Sequence, residues 1–562
     1  MKAKRLAPLA AALCASFGAH AQTTPIANVI VIFQENVSFD HYFGTYPNAQ
    51  NNAGETPFYA AQNTPSVNGL SPELLNNNPN RNASGTQINP TRFGPSQAYT
   101  CSMNHNYEPE QKAVDGGLMD GFVVNTGSTS EGCATDGSTV MAYFDGNTVT
   151  AMWNYAQYFA MSDNAFGSTF GPSTTGVVNL VSGQTGNGIL HWATSNSSVY
   201  VPAGSSTTQP VSGVTDIGDL DAYLDDCGND KGGTVTTTAT LEMTSKNIGD
   251  LLNAANVTWG WFQGGFTPTQ AAVYNSATNT WTPAVCGQAH ITHEYTSTNY
   301  NSWAGAPTTS TVVPNPTLHY TSDIHTSGND YVSHHAGFQY YASTRNPHHL
   351  PPTGTIGTTD QANHNYDLTY FFQALQNGQL PSVSFLKAPY YQNGHPGNSD
   401  PTMEQVWLTQ VINAVQQSEY WNNTVIIITY DDSDGWYDHV NGPLTSTSNT
   451  TDDALAGTGN CGTPSSGAIP ARCGHGPRLP LLVISPWAQE NYVDHGVNDQ
   501  TSVIAFIEYN WGLGNIDGGT AANGRGAFDQ NAGSLLPLFN FSQPPGSYHV
   551  ILNQNGTVSS VY

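Results

Sequence analysis

The stretch TVIIITYDDSDGWYDHV, residues 424–440, begins as a run of β-branched and apolar side chains and ends in a cluster of acids. Comparable β-rich runs occur at 27–33, 381–388 and 479–486. Their nearly continuous apolar character is typical of strands that are covered on both faces, as in a mainly parallel sheet flanked by helices. The sequence therefore predicts an α/β fold.

The segment before residue 424 predicts one unit of that fold. Asp400 precedes Pro401, and the apolar residues of 403–415 then recur at the spacing of one helix face. Strand 381–388, this helix and strand 424–430 form a predicted βαβ unit, in which the two strands run parallel in one sheet.

The first 21 residues predict an exported protein. A basic start is followed by an apolar stretch and by a small-residue cleavage site at 19–21, which is typical of a secretory signal peptide. No other apolar run approaches the roughly 18 residues of a membrane span. We therefore expect a mature protein in the periplasm or outside the cell, without a transmembrane segment.

The mature chain is expected to form one large domain and a short tail. Residues 22–540 are assigned to the α/β domain, and residues 541–562 to a small β-hairpin that turns at Asn555-Gly556. Long stretches rich in Asn, Thr, Ser and Gly are interpreted as surface insertions on this domain. They lie at 48–98, 192–215 and 296–322.

The charge of the chain excludes some partners. The formal net charge is −27, and loss of the three cations in the signal peptide leaves −30. Such an acidic chain is poorly suited to bind nucleic acid or an anionic lipid surface. Any phosphate site in it therefore needs local positive charge from a metal, from histidines or from a helix N-terminus.

Cysteine usage agrees with export. An even number of cysteines follows the signal peptide, and an even number in an exported chain predicts disulfides. We expect each cysteine to pair with its neighbour in sequence. The expected pairs are Cys101–Cys133, Cys227–Cys286 and Cys461–Cys473.

Two of the predicted strands end in residues that can bind a metal. Glu35 and Asn36 follow the first strand, and Asp431 and Asp432 follow the strand at 424–430. Active sites of open α/β sheets lie at the carboxyl ends of strands. Three carboxylates gathered there would repel one another without a cation, and a hard divalent ion takes oxygen ligands of this kind. The alternative is that these acids only cap turns.

Ser173 and several histidines are candidates for the chemistry. Ser173 follows a Gly-Pro turn and begins a predicted helix, a position that favours bound phosphate but is also common for ordinary capping serines. A single histidine is usually structural. The histidines that lie near polar or glycine-rich motifs are His105, His334, His335, His395 and His439.

Five motifs taken together resemble those of a bacterial phosphoesterase family that contains phosphocholine-type phospholipases C and a branch of acid phosphatases. The resemblance extends over about residues 26–515. It implies an alkaline-phosphatase-like fold and hydrolysis of phosphate esters at a metal-assisted serine or threonine. The motifs are FQENVSFDHYFGTYPN (33–48), GPSTTGVVNLVSG (171–183), SHHAGFQYYASTRNP (333–347), LKAPYYQNGHPGNSDP (386–401) and IIITYDDSDGWYDHV (426–440).

The resemblance assigns roles to the metal site and the nucleophile by position. It implies one divalent metal ion of unknown identity, and it matches Ser173 to the family's nucleophile. The implied metal ligands are Glu35, Asn36, Asp431 and Asp432. The other polar residues of the opening stretch, Asp434, Asp438 and His439, are expected to hold the loop through contacts behind these ligands.

The resemblance also matches four histidines to residues that line the site. We assign catalytic roles to His395 and His335, with His395 as the first choice for the general acid because it lies in a Gly- and Pro-bounded loop after a core strand. His105 and His334 are assigned to substrate binding. The resemblance itself leaves open which histidine donates the proton.

Two departures from the family pattern bear on the substrate. Val37 replaces an arginine of the family's usual motif, and GPSTTG at the nucleophile is closer to the acid-phosphatase branch than to the phospholipase branch. The sequence therefore favours a secreted, metal-dependent acid phosphatase of broad specificity that forms a phosphoserine intermediate. The alternatives are a phospholipase C that releases phosphocholine and a non-catalytic surface adhesin. The expected partner is a small phosphate ester or a phospholipid head group, and the oligomeric state stays open.

Overall fold

The computed structural model describes residues 22–130, 133–229, 238–287, 329–516, 526–546 and 548–562. The predicted signal peptide and the predicted insertion at 296–322 lie outside these residues. The described part of the chain forms an α/β structure around a large, mostly parallel β-sheet flanked by helices, which confirms the predicted α/β class and the mainly parallel sheet. Among its helices, none is both long enough and apolar enough to span a membrane.

The described residues contain both strands and helices. The strands are β1 (Asn28–Gln34), β2 (Thr91–Arg92), β3 (Ala142–Tyr143), β4 (Ala160–Phe166), β5 (Gly188–His191), β6 (Val199–Tyr200), β7 (Val211–Asp216), β8 (Thr240–Glu242), β9 (Trp259–Gln263), β10 (Val273–Asn275), β11 (Thr280–Thr282), β12 (Asn365–Asp367), β13 (Val383–Lys387), β14 (Thr424–Tyr430), β15 (Arg478–Ile484), β16 (Tyr492–Asp494), β17 (Asn498–Asp499), β18 (Val550–Leu552) and β19 (Val558–Val561). The α-helices are α1 (Phe39–Phe43), α2 (Pro72–Asn76), α3 (Tyr107–Val114), α4 (Phe122–Asn125), α5 (Thr150–Tyr158), α6 (Ser173–Ser182), α7 (Ile248–Ala254), α8 (Leu368–Gln376), α9 (Pro401–Gln416) and α10 (Thr501–Trp511).

The central sheet has the strand order β12-β9-β13-β1-β14-β15-β4-β16, and β17 also pairs with β4. Among these described strands, only β15 runs antiparallel to its neighbours β14 and β4. A separate antiparallel sheet has the order β6-β7-β5-β8. The carboxyl ends of β13, β1 and β14 therefore lie side by side at one edge of the central sheet.

All four predicted core strands are present, as β1, β13, β14 and β15. The predicted helix is α9, and Asp400 caps it by accepting hydrogen bonds from the N–H groups of Thr402 at 2.7 Å and Met403 at 3.0 Å. β13, α9 and β14 form the predicted βαβ unit, with β1 between the two strands. The direction of β15 was not predicted, because burial on both faces gives the same apolar run in either direction.

Helices cover both faces of the sheet. On β1, Ile30 and Ile32 point to one face and pack in a core with residues of α5, α8 and α9. Val29 and Val31 point to the other face and pack in a core with residues of α6, α7 and α10. Because both faces are buried, β1 is apolar at nearly every position rather than at every second one.

The tail forms the predicted hairpin from β18 and β19. It lies against α9, where the side-chain amide of Gln416 accepts from the N–H of Val550 at 2.7 Å and donates to its carbonyl at 2.8 Å. Asn413 makes the same pair of contacts with Leu552, at 3.2 and 2.8 Å. The hairpin is therefore attached to the face of the sheet that carries α9.

Three disulfides join loops of the described residues. They pair sequence neighbours, as predicted: Cys101–Cys133, Cys227–Cys286 and Cys461–Cys473. Disulfides form and persist in oxidising compartments, so this pairing supports export.

A buried carboxylate of α9 links the two strands that carry the predicted metal ligands. Glu404 is 1% exposed and accepts hydrogen bonds from the hydroxyls of Tyr430 at 2.6 Å and Tyr42 at 2.8 Å, and from the amide of Gln34 at 3.1 Å. Burial raises the pKa of Glu404 to about 7, although these hydrogen bonds act to lower it. The folded chain therefore favours the protonated form.

We expect Glu404→Gln to make the stability of the protein less dependent on pH. The pKa of about 7 lies above the ordinary 4.5, so the stabilisation from the protonated group is complete below pH 4.5 and is lost as the pH rises through 7. The loss amounts to at most about 3 kcal/mol. Urea unfolding at pH 5 and pH 8 should show that the variant gains stability relative to wild type at the higher pH. Glu419→Gln, at an exposed site just after α9, is the control. An unchanged pH dependence in Glu404→Gln would show that the raised pKa does not belong to Glu404.

Candidate active site

The first turn of α6 meets the carboxyl ends of β1 and β14. Ser173 is the first residue of α6 and is 2% exposed. Its hydroxyl donates to Asp432 Oδ2 at 3.0 Å and lies 3.3 Å from Asn36 Oδ1. The structure thus brings the predicted nucleophile into contact with predicted metal ligands from two separate strand ends.

A glycine and a buried acid fix this contact. A Cβ atom on Gly176 would lie 2.1 Å from the backbone oxygen of Asp431, so only glycine allows α6 to approach the end of β14 this closely. Just before the helix, the N–H of Gly171 donates to Glu110 Oε2 at 2.9 Å, and the hydroxyl of Ser433 donates to Glu110 Oε1 at 2.7 Å. Glu110 therefore connects the turn before Ser173 to the loop after β14.

Oxygen atoms of the predicted metal ligands converge beside Ser173. Asn36 Oδ1 lies 2.9 Å from Glu35 Oε2 and 3.2 Å from Asp431 Oδ1. Oxygens that carry no hydrogen repel at these distances, unless a cation lies among them or the amide rotates by 180° and donates its N–H groups instead. In the rotated form the amide oxygen accepts from His395 Nε2 at 3.1 Å. A set of hard oxygen ligands that can close around a cation fits a divalent metal ion.

The acids of this cluster are strongly perturbed. Burial and the adjacent Glu35 raise the pKa of Asp431. Burial raises the pKa of Asp432 well above its usual range, even though the charge of His105 acts to lower it. Asn36 adopts a φ of 54°, in the left-handed region that asparagine tolerates, and its N–H donates to Asp431 Oδ1 at 3.0 Å. The turn after β1 therefore lies against the end of β14, where two buried acids with raised pKa values adjoin Glu35, as a cation site requires.

A lysine with no predicted role belongs to this cluster. Lys387 ends β13 and is 1% exposed. Its ammonium contacts Glu35 Oε1 and lies 3.0 Å from Asp431 Oδ2. Burial acts to lower the pKa of Lys387, but Asp431 and Glu35 outweigh it and raise the pKa, so the side chain is charged. The signal in the sequence was a single lysine at the end of an apolar strand.

His335 lies behind the metal ligands. It is 3% exposed, and its Nδ1 lies 2.8 Å from Glu35 Oε1. Burial, together with the neighbouring His334 and Lys387, lowers the pKa of His335 well below its usual range. The ring therefore packs against Glu35 without adding a positive charge. The catalytic role assigned to His335 from the sequence stays a prediction.

His105 and His395 lie next to Asn36, with their ring centroids 6.0 Å apart. Nδ1 of His105 is 3.1 Å from Asp434 Oδ1, and its Nε2 is 3.4 Å from Asn36 Nδ2. Burial acts to lower the pKa of His105, but the neighbouring carboxylates raise it well above its usual range. Nδ1 of His395 is 2.6 Å from the carbonyl of Pro396, and its Nε2 faces the amide of Asn36.

His334 and an unpredicted aspartate lie beside the nucleophile at the more exposed side of the site. The side chain of His334 is 29% exposed, and its Nδ1 is 3.9 Å from Asp221 Oδ1. Asp219 is exposed and accepts a hydrogen bond from the N–H of Thr174 at 3.0 Å. Thr174 directly follows Ser173, so Asp219 contacts the N-terminal end of α6. No pattern in the sequence marks Asp219, because its partner lies 45 residues away.

The remaining polar residues of segment 424–440 hold the loop after β14, as predicted. Asp438 accepts hydrogen bonds from Arg478 Nε at 3.1 Å and from the N–H of Asp40 at 3.0 Å. His439 Nδ1 lies 2.6 Å from Asp40 Oδ2. Asp434 contacts His105 from behind. The loop is therefore attached both to Arg478 of β15 and to the turn that follows β1.

Several phospholipases C are similar in sequence to this chain. The non-hemolytic phospholipase C of Burkholderia pseudomallei is 25% identical over 548 residues, which cover 94% of this chain and 61% of that protein. The non-hemolytic phospholipase C of Pseudomonas aeruginosa is 33% identical over 173 residues, covering 29% of this chain and 24% of that protein. Phospholipase C B of Mycobacterium tuberculosis is 28% identical over 179 residues, covering 31% and 32%. The chain thus spans about three fifths of the length of the first of these relatives.

The similarity to the following solved structure is too low to support an inference about the fold. A chain described with glycosaminoglycan metabolism in Bacteroides thetaiotaomicron is 12% identical, covers 74% of this chain and 76% of its own length, and has a TM-score of 0.28. At the level of the family the match is extensive, because the profile of the Phosphoesterase family matches residues 26–514. That span includes every predicted site residue, and the chain therefore belongs to the Phosphoesterase family.

Proposed function

We propose that the chain hydrolyses phosphate esters, with Ser173 as the nucleophile and one divalent metal ion held by Glu35, Asn36, Asp431 and Asp432. The observation that carries the proposal is the hydrogen bond from Ser173 Oγ to Asp432 Oδ2, at 3.0 Å, beside the converging oxygens of the other ligands. Membership of the Phosphoesterase family supports the same class of reaction.

The residues around Ser173 suit an attack on phosphorus. A divalent ion bound by these ligands would lower the pKa of a nearby hydroxyl and polarise a phosphoryl oxygen. Asp432 accepts the hydrogen bond of the Ser173 hydroxyl and so orients its Oγ. The Oγ attacks in line, the bond to the leaving alcohol breaks, and a phosphoserine forms that water then hydrolyses. The N-terminal end of α6 adds a partial positive charge at the nucleophile.

Histidines supply the proton and further positive charge. We assign the general acid to His395, because the carbonyl of Pro396 holds its Nδ1–H and directs Nε2 toward the site. Asp432 and Asp434 raise the pKa of His105, which favours its charged form, and we assign His105 to the phosphoryl oxygens. His334, at the exposed side, is assigned to substrate binding. The contact of His335 with Glu35 supports a role through that ligand rather than direct contact with the substrate.

For the substrate, we propose a phospholipid head group, so that the protein acts as a phospholipase C. The relatives named above are phospholipases C, and these names favour the phosphodiester alternative over the broad-specificity acid phosphatase that the GPSTTG motif indicates. The formal net charge of −27 adds a physical reason. A monoester carries about 1.5 to 2 negative charges at pH 7, whereas a diester carries one, and a choline group cancels it. The acidic chain therefore repels the phosphocholine diester least.

The first test compares p-nitrophenylphosphorylcholine with p-nitrophenyl phosphate. We expect faster turnover of the choline diester, and we expect Ser173→Ala to lower kcat on both substrates by roughly a thousandfold or more. Ser212→Ala, at an exposed position of β7, is the matched control and should keep its activity. Faster turnover of the monoester would assign the chain to the acid-phosphatase branch. Full activity in Ser173→Ala would exclude this nucleophile, and no turnover by wild type would support the adhesin alternative.

Metal removal tests the proposed ligand set through the melting temperature as well as through activity. We expect chelation to abolish turnover and added metal to raise the Tm of wild type, because a ligand that binds only the folded state stabilises it. Asp432→Asn removes one buried negative charge. The metal-free variant should therefore melt a few degrees above metal-free wild type and should lose most of the rise on adding metal. Calorimetric melting with and without Mn²⁺ measures both effects, and an equal metal response in the two proteins would exclude Asp432 as a ligand.

Gly176→Ala tests the contact between α6 and β14. The new methyl group has no room beside the carbonyl of Asp431, so the helix must shift and carry Ser173 away from Asp432. A displacement of about 1 Å can cost roughly a hundredfold in rate, and we expect a fall in kcat of roughly tenfold to a hundredfold. Steady-state kinetics together with metal affinity measure the effect. Wild-type kcat in this variant would show that the nucleophile does not depend on this contact.

A further inference from the structure

Lys387 has an unusual position for a lysine, since it lies inside the cluster of acids rather than at its surface. Its side chain starts at the end of β13, and its ammonium lies 4.7 Å from the centroid of the Phe33 ring in the adjacent strand β1. The ammonium contacts Glu35 and, beyond β1, lies 3.0 Å from Asp431 Oδ2. Lys387 therefore shares two of the four proposed metal ligands with any metal ion that binds there.

The charges of the site balance with one divalent ion when Lys387 is counted. Glu35, Asp431 and Asp432 contribute three negative charges, and Lys387 contributes one positive charge. Asp434 lies 3.1 Å from Nδ1 of His105, so a protonated His105 offsets the charge of Asp434. One divalent cation then brings the cluster to neutrality, whereas a second would leave two positive charges buried without partners, which is strongly unfavourable.

We propose that Lys387 is a fixed internal cation that takes the place of a second metal ion. It limits the site to one divalent ion and lowers the affinity for that ion by competing for Glu35 and Asp431. This inference rests on the metal site proposed above, and it adds a residue that neither the motifs nor the family match assign. The ammonium is suited to this role because it is a compact point charge that fits between two carboxylates.

Other basic groups of the described residues do not perform this function. Arg478 is engaged with Asp40 and Asp438 in the loop behind the site. Of the proposed metal ligands, His335 lies at ion-pair distance only from Glu35, whereas Lys387 lies at that distance from both Glu35 and Asp431. Replacing Lys387 therefore leaves the excess negative charge of Glu35 and Asp431 to be balanced by metal alone.

The test measures binding of Mn²⁺ to the full-length, metal-free protein by isothermal titration calorimetry, with metal content after equilibrium dialysis as a second readout. Wild type should bind one Mn²⁺ per chain. Lys387→Met removes the competing charge, and Coulomb repulsion at this range predicts that it binds the ion about tenfold more tightly or better. Lys387→Glu replaces the cation by a further carboxylate and should bind two ions.

Two further variants separate this effect from a fault in folding. Lys387→Arg keeps the charge and should bind one ion with an affinity within about threefold of wild type. Lys246→Met, at an exposed position, should behave as wild type. Circular dichroism of the metal-free proteins verifies that each variant is folded, and if Lys387→Met is not, the comparison of Lys387→Arg with Lys387→Glu decides.

Each outcome bears on a different claim. Unchanged or weaker Mn²⁺ binding by Lys387→Met, or a single ion in folded Lys387→Glu, would overturn the role of Lys387 while leaving the metal site intact. Two ions bound by wild type or by Lys387→Arg would also overturn it. If wild type binds no divalent ion at all, the metal site of the proposed function is itself wrong.

Discussion

The repulsion among three buried carboxylates is the constraint on which the site depends. Glu35 follows β1, and Asp431 and Asp432 follow β14, so the sheet itself brings the acids together. Burial deprives them of water, and the raised pKa values of Asp431 and Asp432 express the cost of keeping their charges. A rigid sheet edge prevents the acids from separating. Lys387 offsets part of their charge, and the converging oxygen atoms suit a divalent cation.

The same edge determines where the proposed nucleophile lies. Helix α6 approaches closely enough for Ser173 to contact Asp432 only because Gly176 has no side chain against the carbonyl of Asp431. At the far end of α6, Arg472 donates to the carbonyl of Gly183 at 2.9 Å, where the helix dipole is negative. The helix is therefore held at both ends. Position and polarity of α6 follow from the same few contacts.

Much of this arrangement could be predicted from the sequence, and the exceptions have physical reasons. Local patterns predict the core strands, the helix at 401–416 and the tail hairpin. These patterns are the spacing of apolar residues and the presence of turn-forming residues, which the sequence alone shows. The direction of β15 cannot be predicted in this way, because a buried apolar strand has the same pattern whether it runs parallel or antiparallel to its neighbours. Lys387 escaped selection because its partners lie on two other strands, and Glu110 because it acts on Gly171 and Ser433 from a distant helix. Contacts between segments that are remote in sequence leave no local signature.

Basic residues are rare in this chain, and their placement shows where charge is needed. It has 13 lysines and arginines against 40 acids, yet Lys387, Arg472 and Arg478 are each at most 1% exposed. Arg478 holds the loop after β14, and Arg472 holds the C-terminal end of α6. Lys387 contacts the acids that follow β1 and β14. A buried cation is costly unless it is paired. Lys387 and Arg478 both lie at the edge where β14 ends, and their pairing with acids indicates that the folded chain is organised to keep a dense group of acids in place, as the proposed metal site beside Ser173 requires.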